Sequence, residues 1–385
     1  TQTAGSILQY LNILSGGAFA QATLFALGIS PYITASIVVQ LLTVAIPPLE
    51  RLAKEGEDGK KKLNQITRYV TVALALLTAV GYYFMLRGYD YLTDRGVFAA
   101  IVIIACYCAG SSLVMWLAEK INESGIGNGI SLILFANIVS RGPSIVARLW
   151  AYASGQVEGT AQWLGIIIAV ASVIIGILMV ALIVFITNSE RRLPVQYAKK
   201  VVGRKMYGGQ NSTLPIKLNN TGVMPIIFAS SIVSIPATIG MFVNYKDSKF
   251  WTGFFKLFDS SSVVYMIFTF FLIIAFAYFY ILISFNPVEV SNNLKKNGGS
   301  IPGIRPGKPT SDYIKRVLNR ITLIGAIFLG FIAVFPMILN LASGGKMAGL
   351  AFGGSSIIII VGVIIETARE IEGHMTMRHY KGFLE

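Results

Sequence analysis

Long stretches without a charged residue dominate the pattern of this chain. Nine such runs are separated by clusters of Lys, Arg, Asp and Glu. About 20 apolar residues cross the hydrocarbon core of a bilayer as an α-helix, so each run predicts one crossing and an all-α polytopic membrane protein. The runs lie at 1–49, 69–86, 97–118, 124–140, 159–189, 218–245, 260–288, 321–345 and 347–365.

The first run is too long for a single helix, and Gly16 and Gly17 interrupt it. Residues 3–14 make about three helical turns, which is too short to cross a bilayer. Short or irregular backbone persists at membrane depth only inside protein or beside a water-filled cavity. We therefore expect 3–14 to form a short re-entrant helix, followed by a first full crossing at 23–46.

A stripe of isoleucines marks this first crossing. Ile29, Ile33 and Ile37 recur at every fourth position, and residues four apart share one face of a helix. Such a stripe can line a pore, or it can serve ordinary packing and lipid contact. The spacing alone leaves both interpretations open.

Composition and charge support a bilayer location. The chain is 54% hydrophobic and 13% charged, whereas about a quarter of the residues in a soluble domain are charged. Of the 32 Lys and Arg residues, 24 fall in alternate connections between the predicted crossings. The positive-inside rule assigns those connections, and with them the C-terminus, to the cytoplasm.

The predicted crossings contain little that could perform chemistry. No Asp, Glu, Lys, Arg or His lies within one, which disfavours ion-coupled transporters and charged filters. Cys106 and Cys108 lie inside a crossing, as small apolar residues do. The glycines of Gly125–Gly129 lack the preceding strand and following lysine of a phosphate loop. We expect no cofactor, no metal and no enzymatic activity.

Motifs over nearly the whole chain resemble the SecY family of protein-translocation channels. The most specific are Gly-Ile-Gly-Asn-Gly-Ile at 125–130 and Pro-Gly-Ile-Arg-Pro-Gly at 302–307, and the run 15–42 resembles the family's second transmembrane helix. The resemblance implies a SecY-type bundle of two inverted halves. The family begins with one more helix, which is absent from this sequence, so we expect a truncated chain.

The resemblance also implies a domain division. The N-terminal half is expected at 1–150 with four crossings, an external hinge at 151–160, and the C-terminal half at 161–385 with five crossings. Two large cytoplasmic loops, at 187–217 and 285–320, and a cytoplasmic tail belong to the second half.

Individual residues acquire roles from the same resemblance. In the family, a ring of branched aliphatic side chains closes the pore, a plug helix covers its external side, a lateral gate opens toward lipid, and cytoplasmic loops dock partners. The implied positions are Ile29, Ile33, Ile130, Leu134, Ile227 and Ile359 for the pore ring; Ile7, Leu8 and Leu11 for the plug; Gln40 and Asn220 for the lateral gate; and Arg204, Lys205 and Arg305 for docking.

The expected function is a passive channel in the bacterial plasma (inner) membrane, through which unfolded polypeptides are secreted and from which membrane proteins are inserted laterally. An apolar ring offers no hydrogen bond or charge, so it can block ions without selecting a substrate. The implied partners are SecE, SecG, the SecA ATPase, the ribosome, signal peptides and nascent chains, and the basic loops favour anionic lipids. A secondary transporter of a neutral solute and a docking scaffold without a pore remain alternatives.

Overall fold

A computed structural model describes residues 15–88, 92, 96–125, 127–155, 162–197, 200–202, 205–207, 211–219, 221–240, 251, 253–254, 257–258, 262–342 and 354–381. Helices dominate them. The main helices are α1 (Ser30–Ala45), α2 (Pro47–Lys54), α3 (Glu57–Gly88), α4 (Val97–Ser124), α5 (Gly129–Val139), α6 (Gly142–Ala153), α7 (Gln162–Asn188), α8 (Met224–Val233), α9 (Ile235–Gly240), α10 (Val263–Ser284), α11 (Pro287–Lys296), α12 (Lys308–Ala342) and α13 (Gly354–Lys381). The strands are β1 (Glu190–Tyr197), β2 (Lys200–Val202), β3 (Lys205–Tyr207), β4 (Asn211–Lys217) and β5 (Gly299–Ser300).

The described residues contain six helices that are long and apolar enough to cross a membrane, or up to seven if α1 and α2 form one broken span. The all-α membrane fold is therefore confirmed, but not all nine predicted crossings exist as single long helices. The crossing predicted at 218–245 is divided between the short helices α8 and α9, and α13 is apolar only in its first part because charges begin at Glu366.

The first crossing begins later than the predicted residue 23. Residues 15–29 form successive turns, and α1 starts only at Ser30. Gly28 has a φ of +53°, a left-handed conformation that stops a regular helix, and Pro31 in the first turn then begins a new one. At its other end α1 meets α2 at an angle of 102°, where Pro47 and Pro48 prevent α1 from continuing.

One buried hydrophobic cluster joins both parts of the chain. It contains side chains from α1, α4 and α5 on one side, and from α7, α8, α10, α12 and α13 on the other. Helices α1 and α8 contact each other, and α13 contacts both α5 and α8. The centre of the bundle is therefore a shared core.

The two large loops of the second half form one folded unit. Strand β1 pairs in antiparallel fashion with β4 on one edge and with β5 on the other, through Gln196 opposite Ser300 and Tyr197 opposite Gly299. Leu193, Val195 and Ile216 of this sheet pack in a second hydrophobic cluster with residues of α10, α11 and α12. The sequence-based prediction of two loops did not include this sheet.

Candidate pore and docking surfaces

The structure places all six residues predicted for the pore ring in one hydrophobic core. Each is buried, with exposed fractions from 0 to 8%, and all belong to the shared central core. Ile29 occupies the N-cap position of α1 and Ile33 lies in its first turn, while the other four come from helices distant in sequence. They are Ile130 and Leu134 on α5, Ile227 on α8 and Ile359 on α13.

The glycine-rich motif before α5 sets the position of two of these residues. The Asn128 side chain accepts hydrogen bonds from the backbone N–H groups of Ile130 and Ser131, at 3.0 and 3.3 Å, and so caps the helix. Asn122 Oδ1 accepts from the Gly129 N–H at 2.8 Å. A Cβ at Gly129 would lie 2.0 Å from the Ala118 carbonyl oxygen, so only glycine permits this close approach of α5 to α4.

The predicted plug and half of the predicted gate lie outside the described residues. This applies to the helix at 3–14 with Ile7, Leu8 and Leu11, and to Asn220. Gln40 is half-buried on α1, where its Nε2 donates to Ser36 Oγ at 3.4 Å. A contact between Gln40 and Asn220 therefore stays a prediction.

A lateral cavity of about 510 Å³ lies beside the central core. Its walls come from the turns before α1, from α1 and α3, and from α9 with the preceding Ser234, so it borders both parts of the chain. Most lining groups are apolar, and a few hydroxyls supply hydrogen-bonding capacity. The lining includes Leu27, Pro31, Thr34, Val38, Leu77, Thr78, Ile235 and Thr238. An apolar helical segment suits this chemistry better than a charged solute does.

A bidentate ion pair joins α3 to α4. Arg68 Nε donates to both carboxylate oxygens of Glu119, at 2.9 and 2.8 Å, and Arg68 Nη2 lies 2.8 Å from Oε2. The Glu119 side chain is only 11% exposed, whereas that of Arg68 is 48% exposed. Sequence analysis missed the pair because its members are 51 residues apart, and both lie just outside the charge-free runs.

The turn around Arg305 is held by hydrogen bonds within its own loop. Ser291 Oγ donates to the Gly307 carbonyl at 2.8 Å, and Thr310 Oγ1 donates to the Arg305 carbonyl at 2.8 Å. Gly303 and Gly307 have φ values of +79° and +101°, which glycine adopts without strain. The backbone is therefore fixed while the Arg305 side chain is exposed.

Of the other two predicted docking residues, the structure describes the backbone of Lys205 alone. Lys205 begins β3, which pairs with β2, and Arg204 is outside the described residues. At the base of the β1–β4 hairpin, burial and the nearby Arg369 lower the pKa of Lys217.

The polar end of α13 is hydrogen-bonded to the ends of two other helices, one from each part of the chain. Arg369 Nη2 donates to Asn188 Oδ1 at 2.6 Å, at the end of α7. The Nε2–H of His374 donates to the Gly125 carbonyl at 2.8 Å, at the end of α4. Both contacts are exposed, so they add a solvated link between α13 and the ends of α7 and α4.

Comparison with known proteins gives one family. A family model described as SecY matches residues 23–368. "Protein translocase subunit SecY" of Streptomyces coelicolor is 46% identical, over 97% of this chain and 86% of that protein. The protein of the same description from Mycobacterium tuberculosis is 43% identical, over 99% of this chain and 88% of that protein.

Solved structures show the same fold. One described as "The structure of a protein conducting channel" has a TM-score of 0.64 and 19% identity, and covers 94% of this chain and 84% of its own. "Sec61 in the Canine ribosome-channel complex from the endoplasmic reticulum" has a TM-score of 0.59 and 20% identity, and covers 90% and 82%. At these identities the similarity concerns the fold.

Proposed function

This chain belongs to the SecY family, and on that basis we propose that it is a passive protein-conducting channel. Unfolded polypeptides would pass through it across the membrane, and membrane proteins would leave it sideways into lipid. The curated relatives are protein translocase subunits, which favours this function over a solute transporter or a scaffold without a pore. The chain itself would perform no chemical reaction, and a motor or a translating ribosome would supply the energy.

One observation carries the proposal: the six ring candidates, from four helices, meet in one buried apolar cluster. Hydrocarbon at a constriction repels water and ions but makes no specific bond with a passing chain. Two of the helices, α1 and α5, belong to the proposed N-terminal half at 1–150, and two, α8 and α13, to the proposed C-terminal half at 161–385. Separation of the halves about the hinge at 151–160 would open the ring.

The lateral cavity supports a gate between the same halves. A signal peptide is an apolar helix of limited length, and the cavity presents apolar walls with scattered hydroxyls between α1, α3 and α9. We assign Gln40 and Asn220 to the polar part of this gate, and 3–14, with Ile7, Leu8 and Leu11, to the plug.

Docking is proposed for the cytoplasmic loops. Arg305 is exposed on a fixed turn, and its loop shares a sheet with the hairpin that bears Arg204 and Lys205. We infer that SecA and the ribosome bind this joined surface, because the exposed Arg305 on a fixed backbone suits acidic protein and RNA phosphate. Basic residues nearby would also contact anionic lipids.

The small subunits SecE and SecG would pack on the membrane face. An apolar groove of about 360 Å³ lies between α6, α7 and α13. A Cβ added at Gly176 in this groove would meet nothing within 4 Å, so a neighbouring helix can approach closely. The chain is a multi-pass membrane protein; we place it in the plasma membrane with a cytoplasmic C-terminus, as the distribution of Lys and Arg favours.

Reconstitution tests the function directly. The full-length chain with SecE and SecG in vesicles, supplied with SecA and ATP, should move an unfolded secretory substrate into a protease-protected lumen. Vesicles without this chain, and complete vesicles without ATP, are the controls. Protection no greater than in those controls would contradict the channel, whereas ATP-independent uptake of a small neutral solute would favour the transporter.

A further inference from the structure

Residues 15–29, which we call the pre-helix segment, form turns. Their backbone therefore lacks the regular hydrogen bonds of a helix. Gly16, Gly28 and also Ala22 have positive φ values, of +65°, +53° and +50°. Ala22 is the one residue other than glycine with positive φ among those that the structure describes. A left-handed alanine is strained, and irregular backbone within a membrane protein needs partners from its surroundings.

Three hydroxyl groups from neighbouring helices supply such partners. The hydroxyl of Tyr82 on α3 donates to the carbonyl of Phe19. On α4, Tyr107 donates to the carbonyl of the strained Ala22 at 3.2 Å. One turn further along α4, Ser111 Oγ donates to the Gly28 carbonyl at 3.3 Å. Tyr82 and Ser111 are each 1% exposed, so water does not readily replace these bonds.

Aromatic contacts and a close approach at a glycine add to these hydrogen bonds. The Tyr82 ring lies between those of Phe19 and Tyr107, with centroids 4.7 and 5.1 Å away. A Cβ at Gly110 would lie 2.1 Å from the Leu24 carbonyl oxygen. The segment therefore lies directly against α4, and a larger residue at 110 would displace it.

The hydrogen bond from Ser111 is made to the residue directly before a ring candidate. The Gly28 carbonyl accepts a hydrogen bond from Ser111, and the next residue, Ile29, occupies the N-cap position of α1. We propose that Tyr82, Tyr107 and Ser111 are positioning residues, which hold the pre-helix segment against α3 and α4 and thereby keep Ile29 in the closed ring. The inference rests on the proposed function, because it identifies what keeps that channel closed at rest.

Loss of each hydroxyl removes one hydrogen bond to a backbone carbonyl of the pre-helix segment. Each loss should raise the released population of the segment by about tenfold. Tyr82→Phe, Tyr107→Phe and Ser111→Ala, alone and combined, would be made in the full-length chain within its membrane complex. Tyr83→Phe is the matched control, because Tyr83 is also buried but its hydroxyl has no hydrogen bond to the described part of the chain.

Three readouts separate positioning from general destabilisation: resting ion conductance of the vesicles, motor-driven substrate transport, and thermal unfolding of the purified complex. The triple variant should leak ions at least tenfold more than Tyr83→Phe while it still transports substrate. Ser111→Thr, which keeps a hydroxyl, should leak less than Ser111→Ala. Gly110→Ala should reproduce the leak by displacement, with all three hydroxyls intact.

The possible failures are distinguishable. If the unaltered complex transports substrate but the triple variant and Gly110→Ala stay as tight as Tyr83→Phe, the inference is wrong and the channel function stands. If the unaltered complex transports nothing, the proposed function itself is wrong, and the inference that rests on it is overturned as well. A leak that appears only in proportion to a lower unfolding temperature, and equally in Tyr83→Phe, would also overturn the positioning role.

Discussion

Serine substitution in the ring gives a sharp test of the apolar seal. The double variant Ile33→Ser with Ile227→Ser alters one ring position on each side of the channel, on α1 and α8. The chain offers a matched control, Ile37→Ser with Ile226→Ser, which alters the same two helices in the same core. All four isoleucines are at most 2% exposed, so the pairs differ chiefly in their position relative to the ring.

The expected magnitude follows from the hydrocarbon removed. Each Ile→Ser change removes about three apolar groups at about 0.8 kcal/mol each, or about 2.4 kcal/mol. Two changes give about 5 kcal/mol, and 1.4 kcal/mol corresponds to a factor of ten. The ratio of dry to water-filled constriction should therefore fall by roughly three orders of magnitude in the ring variant.

Resting ion conductance in planar bilayers measures this ratio, and thermal unfolding monitors the fold. Because both pairs remove equal hydrocarbon from one core, their unfolding temperatures should fall by similar amounts. Only Ile33→Ser with Ile227→Ser should conduct at rest. Equal leak from the control pair, or a tight ring variant, would remove these residues from the constriction.

Three further predictions address docking, the ion pair and the membrane groove. Arg305→Glu should lower SecA-driven transport at least tenfold, whereas Lys308→Glu, which reverses a charge in the same loop, should not; equal losses would indicate a general electrostatic effect. Glu119→Ala should lower the free energy of unfolding by about 1–3 kcal/mol, less than for a fully buried pair because Arg68 is half exposed; a double-mutant cycle with Arg68→Ala should show coupling, and additivity would refute it. Gly176→Leu should fill the groove and reduce co-purification of a small membrane subunit without lowering the unfolding temperature; unchanged co-purification would place that subunit elsewhere.

Much of the membrane fold is predictable because charge is so costly in lipid. The charge-free runs located the long helices α3, α4, α7, α10 and α12 without reference to packing. The start of α1 was not found, because hydropathy does not register the backbone conformation of Gly28.

The candidate site was also only partly predictable from the sequence. The stripe of Ile29 and Ile33 indicated one buried face, but spacing within one helix could not show that Ile227 and Ile359 share its core. Their meeting depends on contacts between distant helices, and only the family resemblance pointed to it. The sheet formed by Gln196 and Ser300 was likewise hidden, because two strand residues carry no recognisable pattern.

The ring candidates are not a separate layer but part of the largest core cluster of the described chain. Because the residues that close this channel also belong to its hydrophobic core, opening the channel breaks core packing contacts. The open state therefore contains a cavity within the core. A translocating polypeptide would fill this cavity, and its side chains would replace the contacts that the ring isoleucines make in the closed state. Substrates with apolar segments would thus stabilise the open channel by packing against its exposed core, without a binding site for any particular sequence.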